Sequence, residues 1–146
     1  TGTQLVVVDD EGIAGYVVST DDTATFATWA EEHWWPPLRE RYPRSDEDSA
    51  AGRIIRTIHQ PAGPPAELLA GYPAHFHIDL LERTRGSGLG RTLLGRLFGE
   101  LRERGVPGVH MGVDGGNTNA IGFYEHLGFR TLQQEPWGVT MGMSLR

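Results

Sequence analysis

Residues 74–101 read AHFHIDLLERTRGSGLGRTLLGRLFGEL. From Ala74 to Leu81, Phe76, Ile78 and Leu80 alternate with His75, His77 and Asp79, the period-two pattern of a strand with two unlike faces. Arg85-Gly86-Ser87-Gly88-Leu89-Gly90 follows as a glycine loop. Leu89, Leu93, Leu94, Leu97, Phe98 and Leu101 then recur on one helical face, and Gly105 and Pro107 end that helix. Glycines let the backbone approach a ligand closely. The first turn of a helix adds unpaired N–H groups and a positive dipole end. Together they suit a phosphate or pyrophosphate, with Arg85 and Arg91 as counter-charges. A tight turn without a ligand is the plainer alternative. The dinucleotide fingerprint fails because Arg91 stands where its third glycine belongs, and no P-loop pattern is present.

Downstream, Val109 to Val113 reads as a strand and Gly115-Gly116 as a turn. Asn117 can cap a helix running through Leu127, which Gly128 breaks. Phe129 to Gln133 and Val139 to Leu145 make two closing strands. Upstream, the runs Gln4 to Val8 and Ile13 to Ser19 flank the acidic turn Asp9-Asp10-Glu11-Gly12, which predicts a hairpin. Asp21-Asp22 offers an N-cap for a helix expected to run to about Trp35, where Pro36-Pro37 stops or kinks it. A short helical stretch over Leu38 to Tyr42 follows. Ser45 to Asp48 has capping character before a helix reaching about Ile58, and Pro61 to Pro65 is a loop. The two strands joined by the amphipathic helix imply a right-handed parallel crossover. The expected architecture is α/β: a mixed sheet with helices on its faces.

The chain has 146 residues, enough for one domain, 1–146. Apolar residues at 38% and charged residues at 22% permit a buried core and exclude a disordered chain. Zero Cys rules out a disulfide framework, thiolate zinc and a Cys nucleophile. A net charge of −6 argues against nucleic acid as a partner, since no basic excess exists to release counterions. No apolar run approaches the roughly 18–20 residues of a membrane span, and no secretory or lipidation signal is visible, so a cytoplasmic location is expected. The opening Thr1 in place of Met points to a trimmed piece of a longer chain.

Two stretches carry a family resemblance. Leu81 to Gly90 resembles motif A of the GNAT-type N-acetyltransferases, matched by Arg85, Gly88 and Gly90. Val113 to Phe129 resembles motif B of that family, with Asn117, Ala120, Tyr124 and Gly128-Phe129 in register. Ile13 to Val17 is similar to the family's third strand. Within the family, His75 to Leu81 and Phe123-Tyr124 are similar to the acetyltransferase-like C-terminal domain of O-GlcNAcases. The resemblance implies a mostly antiparallel twisted sheet whose parallel central pair splays to admit coenzyme A. The family's opening strand and helices are absent or trimmed, and residues 20–73 form a helical insertion between hairpin and central strand.

The resemblance implies acetyl transfer from acetyl-CoA to an amine acceptor, a small molecule or a basic peptide. Arg85, Gly86, Ser87, Gly88, Leu89, Gly90 and Arg91 would hold the pyrophosphate, Leu80 and Leu81 the pantetheine arm, and Asn117 would reach that arm. Tyr124 would protonate the leaving thiolate; the alternative is a half-buried tyrosine packed against Phe123 and Leu127. Asp79, then His77, are the candidates for the base that neutralises the amine; either can equally be a hydrogen-bonded strand residue. His75-x-His77-x-Asp79 also has strand spacing for zinc, but a fourth ligand is missing and no metal is expected. Asp114 reads as a turn acid. Trp29, His33, Trp34 and Trp35 cluster in the insertion, as core packing or as a lid or acceptor wall. A binding module that keeps the fold without turnover is the competing functional class.

Overall fold

The computed structural model describes residues 2–146. Six strands form one sheet in the order β1-β2-β3-β4-β6-β5. β1 (Gln4–Asp9) and β2 (Gly12–Thr20) are the expected hairpin, turned by Gly12 at φ 110°. β3 (Ala74–Leu80) pairs antiparallel with β2 from Thr20↔His75 to Gly15↔Leu80. The helix α5 (Leu89–Glu103) then crosses to β4 (Gly108–Asp114), which lies parallel to β3. After α6 (Thr118–His126), the hairpin of β5 (Arg130–Glu135) and β6 (Gly138–Ser144) completes the sheet, with β6 antiparallel to β4 over seven pairs.

Phe76 on β3 meets Phe98 of α5, Tyr124 of α6 and Phe129 at ring-centroid distances of 5.9, 6.3 and 6.1 Å. Leu94, Leu97 and Leu101 of α5 are fully buried in the same cluster, together with Val17, Val109 and Met141 from the sheet. This is the apolar stripe seen in the sequence. It fixes α5 and α6 on one face of β3 and leaves His75, His77 and Asp79 on the other.

Between β2 and β3 lie α1 (Thr23–Trp29), α2 (Trp35–Arg41), α3 (Ala50–His59) and α4 (Ala66–Gly71). Asp22 caps α1 through a bond from the Thr25 N–H at 3.0 Å, as its sequence predicts. The prolines do not end the helical path. A π-helical turn over Ala30–Trp34 precedes them, and the Trp35 N–H donates to the Ala30 carbonyl five residues back. Pro36 and Pro37 then occupy the second and third positions of α2, within its first turn, where a missing N–H costs least. α3 starts later than expected. Its cap is Ser49, which accepts from the Gly52 N–H at 3.0 Å. α4 was not expected, because its six residues are too few for a periodic signal.

No helix among the described residues is long and apolar enough to cross a membrane.

Candidate active site

β3 and β4 start together and then part. Only Ala74↔Val109 and His75↔His110 are paired, whereas β3 keeps six pairs with β2. The Leu81 N–H donates to the Ala14 carbonyl at 2.9 Å, toward β2. Strand alternation therefore turns the backbone N–H and C=O groups of Ile78 and Leu80 toward β4, into the part where the two strands have separated. A wedge with free backbone groups on one wall opens at the C-terminal end of β3, the place where ligands collect in open α/β sheets.

The glycine loop borders this wedge. A 3₁₀ turn, Glu82–Thr84, leads into it. Buried Thr84 donates from its hydroxyl to the Leu81 carbonyl at 2.7 Å, and its own carbonyl accepts from the Ser87 hydroxyl and N–H. Gly86 (φ 76°) and Gly88 (φ 81°) stand in the left-handed region, where a side chain is strained. A Cβ on either would project into open space. Gly88 occupies the cap position of α5 and provides no side-chain cap. Among the described residues, the N–H groups of Gly86, Gly88, Gly90 and Arg91 have no hydrogen-bond partner. Gly90 does something else: its Cβ would lie 3.2 Å from the Leu80 side chain and 3.5 Å from Phe123. It lets α5 sit close to β3 and places the loop against the wedge.

The Arg85 side chain is 75% exposed, and its guanidinium lies 3.6 Å from Glu82. Arg83, which the sequence did not single out, ties the loop to the β1–β2 turn through two bonds to Asp9, at 2.9 and 3.1 Å. That guanidinium holds the Asp9 carboxyl below its usual value.

Asn117 caps α6, with its carbonyl oxygen 3.1 Å from the Ala120 N–H. Its amide nitrogen has no partner among the described residues. Asp114 accepts from the Gly116 N–H at 2.8 Å and is the turn acid its position implied.

Tyr124 is 7% exposed, its ring packed against Phe123, Phe76 and Phe129. Its hydroxyl has no hydrogen-bond partner among the described residues. Burial first, and the Asp79 charge second, push this hydroxyl up to about 12. The packing alternative therefore describes the ring, while the hydroxyl stays protonated and free.

The opposite face of β3 carries the other candidates. Asp79 is exposed and accepts a 2.6 Å hydrogen bond from the Tyr16 hydroxyl across the β2–β3 pair. That bond, and then the charge of Asp79, raise Tyr16 above the ordinary tyrosine value. Tyr16 escaped the sequence reading because a cross-strand partner depends on register. His77 is exposed two residues away. His75 is half-buried, with Nδ1 2.7 Å from the Thr23 hydroxyl, and its ring lies 5.7 Å from that of His110. Desolvation, followed by the neighbouring His110 and His77, lowers His75 to about 4. His110 donates from Nδ1 to the Tyr72 carbonyl at 2.6 Å. No cluster of three or more side chains able to hold a metal is present among the described residues.

Trp29 and Trp34 are not core residues, contrary to the packing expectation; they are 48% and 53% exposed. Trp29 stacks on His33 at 5.6 Å and on Phe26 at 6.2 Å. With Phe26, Thr25, Val18, His75 and His77 it lines an open cleft of about 620 Å³ on the Asp79 face of the sheet.

The acetyltransferase (GNAT) family model matches residues 2–129. A crystal structure of SsHAT superposes with a TM-score of 0.85 at 35% identity, covering 98% of this chain and 72% of that one. Protein O-GlcNAcase of Rattus norvegicus is 26% identical over 128 residues, which is 85% of this chain but 14% of that protein. Mycothiol acetyltransferase of Rhodococcus erythropolis is 34% identical over 100 residues, 67% of this chain and 32% of that enzyme. The chain thus spans only a fraction of these curated relatives. The family match covers the split strand pair, the glycine loop and the helix that carries Tyr124 alike, and on that ground the chain belongs to the GNAT acetyltransferase family.

Proposed function

We propose that the protein binds acetyl-CoA between β3 and β4 and transfers the acetyl group to an amine by direct attack. One observation carries this reading. The unpaired backbone edge of Ile78 and Leu80 opens beside a loop with four free N–H groups at the start of a fifteen-residue helix. A pyrophosphate would meet the N–H groups of Gly86, Gly88, Gly90 and Arg91, with Arg85 and Arg91 near to balance its charge and Ser87 and Leu89 completing the loop. A pantetheine arm carries amides, and the free backbone edge of Ile78 and Leu80 can hydrogen-bond it as an added strand would; Leu81, expected to share in this, has its N–H bonded to Ala14 and its carbonyl to Thr84 and offers only its exposed side chain. The Asn117 amide nitrogen is a further donor for that arm.

When bound, acetyl-CoA supplies an electrophilic thioester carbonyl and a thiolate leaving group. Transfer forms a C–N bond and breaks the C–S bond. The proton given up by nitrogen balances the one taken by sulfur. Free N–H groups on the wedge wall stabilise the carbonyl oxygen as charge builds on it. Asp79, held in place by Tyr16, takes the proton from nitrogen, with His77 as the second base on that face. Tyr124 donates to sulfur from the other face of β3. A free thiol has a value of about 8.5, so full proton transfer from a hydroxyl near 12 runs uphill even to the formed thiolate; Tyr124 acts chiefly by stabilising the departing sulfur as a hydrogen-bond donor.

The acceptor is an amine, and the sheet face bearing Asp79 is where it approaches. The test is release of free coenzyme A from acetyl-CoA across an amine panel, alongside calorimetric titration with acetyl-CoA. Amine-dependent release supports transfer. Tight binding without release for any amine leaves a binding module, the competing class.

A further inference from the structure

The cleft on the Asp79 face has chemistry of its own. Phe26 and Trp29 expose about half of their surface, 49% and 48%, yet they are ordered against each other and against His33 and His75. Exposed aromatic faces gathered at a concavity mark a binding surface. None of the described residues lining the cleft is Lys or Arg. Its one carboxylate, Asp22, caps α1 and is held below the usual carboxylate range by the Thr25 N–H, so it is ionised at neutral pH. His75, lowered to about 4, is neutral there. Among the described residues, a ligand carboxylate or phosphate would find no Lys or Arg in the cleft and would face Asp22. An ammonium group with an apolar body would meet π-faces and a favourable field.

The position of the cleft sets the length of that ligand. Val18 and His77 are cross-strand partners and line its end; Tyr16 and Asp79 are the next pair on the same face. Two strand positions span about 6.6 Å. A ring held between Trp29 and His77 thus reaches Asp79 through a spacer of about two or three carbons.

We infer that the cleft takes the acceptor as a small arylalkyl primary amine bearing no carboxylate or phosphate, its ring against Phe26 and Trp29 and its nitrogen directed along β3 to Asp79. As a statement about the acceptor this rests on the transfer function proposed above, but the cleft can be tested without turnover. The experiment is calorimetric titration of the full chain with 2-phenylethylamine, phenylalanine, glucosamine and a short lysine peptide. It is repeated on Trp29→Ala and Trp29→Phe, with acetyl-CoA titrated separately into the unaltered chain. The expected result is 2-phenylethylamine binding at least about tenfold more tightly than the other three. Trp29→Ala should weaken it about tenfold, which is about 1.4 kcal/mol, and Trp29→Phe restore most of the loss. Equal or tighter binding of phenylalanine, glucosamine or the peptide overturns the inference, as does an unchanged affinity in Trp29→Ala. Either outcome leaves coenzyme binding standing if acetyl-CoA still titrates. Failure of acetyl-CoA to bind instead removes the transfer function and leaves the amine result readable.

Discussion

The two residues given the most specific proposed roles, Tyr124 and Asp79, flank β3 on opposite faces, and they were legible to different degrees. Tyr124 was found through its motif, and the structure adds its environment: an aromatic box around the ring and a hydroxyl without a partner. Tyr124→Phe removes one oxygen atom and keeps the packing. It is expected to retain acetyl-CoA affinity while lowering the transfer rate by about 10²-fold, the scale of a general acid; an unchanged single-turnover rate would end the acid role. Asp79 was found from alternation, but its Tyr16 partner was hidden until the strands were in register. Asp79→Asn is expected to lower transfer by about 10²-fold and Tyr16→Phe, which releases the carboxylate it holds, by less, both read from kcat/KM across pH. A profile identical to the parent in Asp79→Asn would assign the base elsewhere. The roles of Thr84 and Arg83, which fasten the loop, had no signature in the chain because each depends on a partner reached through folding.

Among the elements, those built on long periodic patterns were readable and the short ones were not. The hairpin, β3, α5 and α6 follow from alternation, from a leucine stripe and from Asn117 as a cap. The insertion resisted because a six-residue helix carries little pattern and because a π turn can carry a helix past two prolines. The glycine loop is the element where conformation meets the proposed ligand. Gly88→Ala forces a side chain to φ 81° over the open cradle. It should cost about 1–2 kcal/mol in chemical denaturation and weaken acetyl-CoA binding by more than that strain alone; wild-type affinity in the variant would remove the cradle from the binding site. The β3–β4 junction gives a pH test. His75 is lowered to about 4 from 6.5, and His110 is lowered as well, both mainly by burial. Unfolding lets them bind protons more readily, so the stability they contribute is complete above about pH 6.5 and declines as pH falls toward 4. Denaturation midpoints should fall over that interval, and His75→Gln should flatten the fall. An equal slope in the variant would show that His75 does not report the junction.

Across the whole molecule, one sheet does two jobs: its continuous face carries the core, and its interrupted strand pair makes room for a ligand. The parallel crossover and the mixed sheet could be read from the order of elements. The splay was reached only through the family resemblance, because no residue encodes the absence of pairing; it emerges when β4 takes seven partners in β6 and keeps two in β3. The aromatic cluster was left between core packing and an acceptor wall for a related reason, since a group of Trp and His in sequence looks the same whether it faces inward or outward. Both openings flank Asp79, so coenzyme and acceptor would converge on β3 from two sides. The most direct measurement is a crystal structure of the chain with acetyl-CoA at millimolar excess. The diphosphate is expected on the amides of Gly86 to Arg91 and the thioester beside Leu80, between the separated strands. Coenzyme bound at any other surface, or a wedge still empty at that concentration, would contradict that placement.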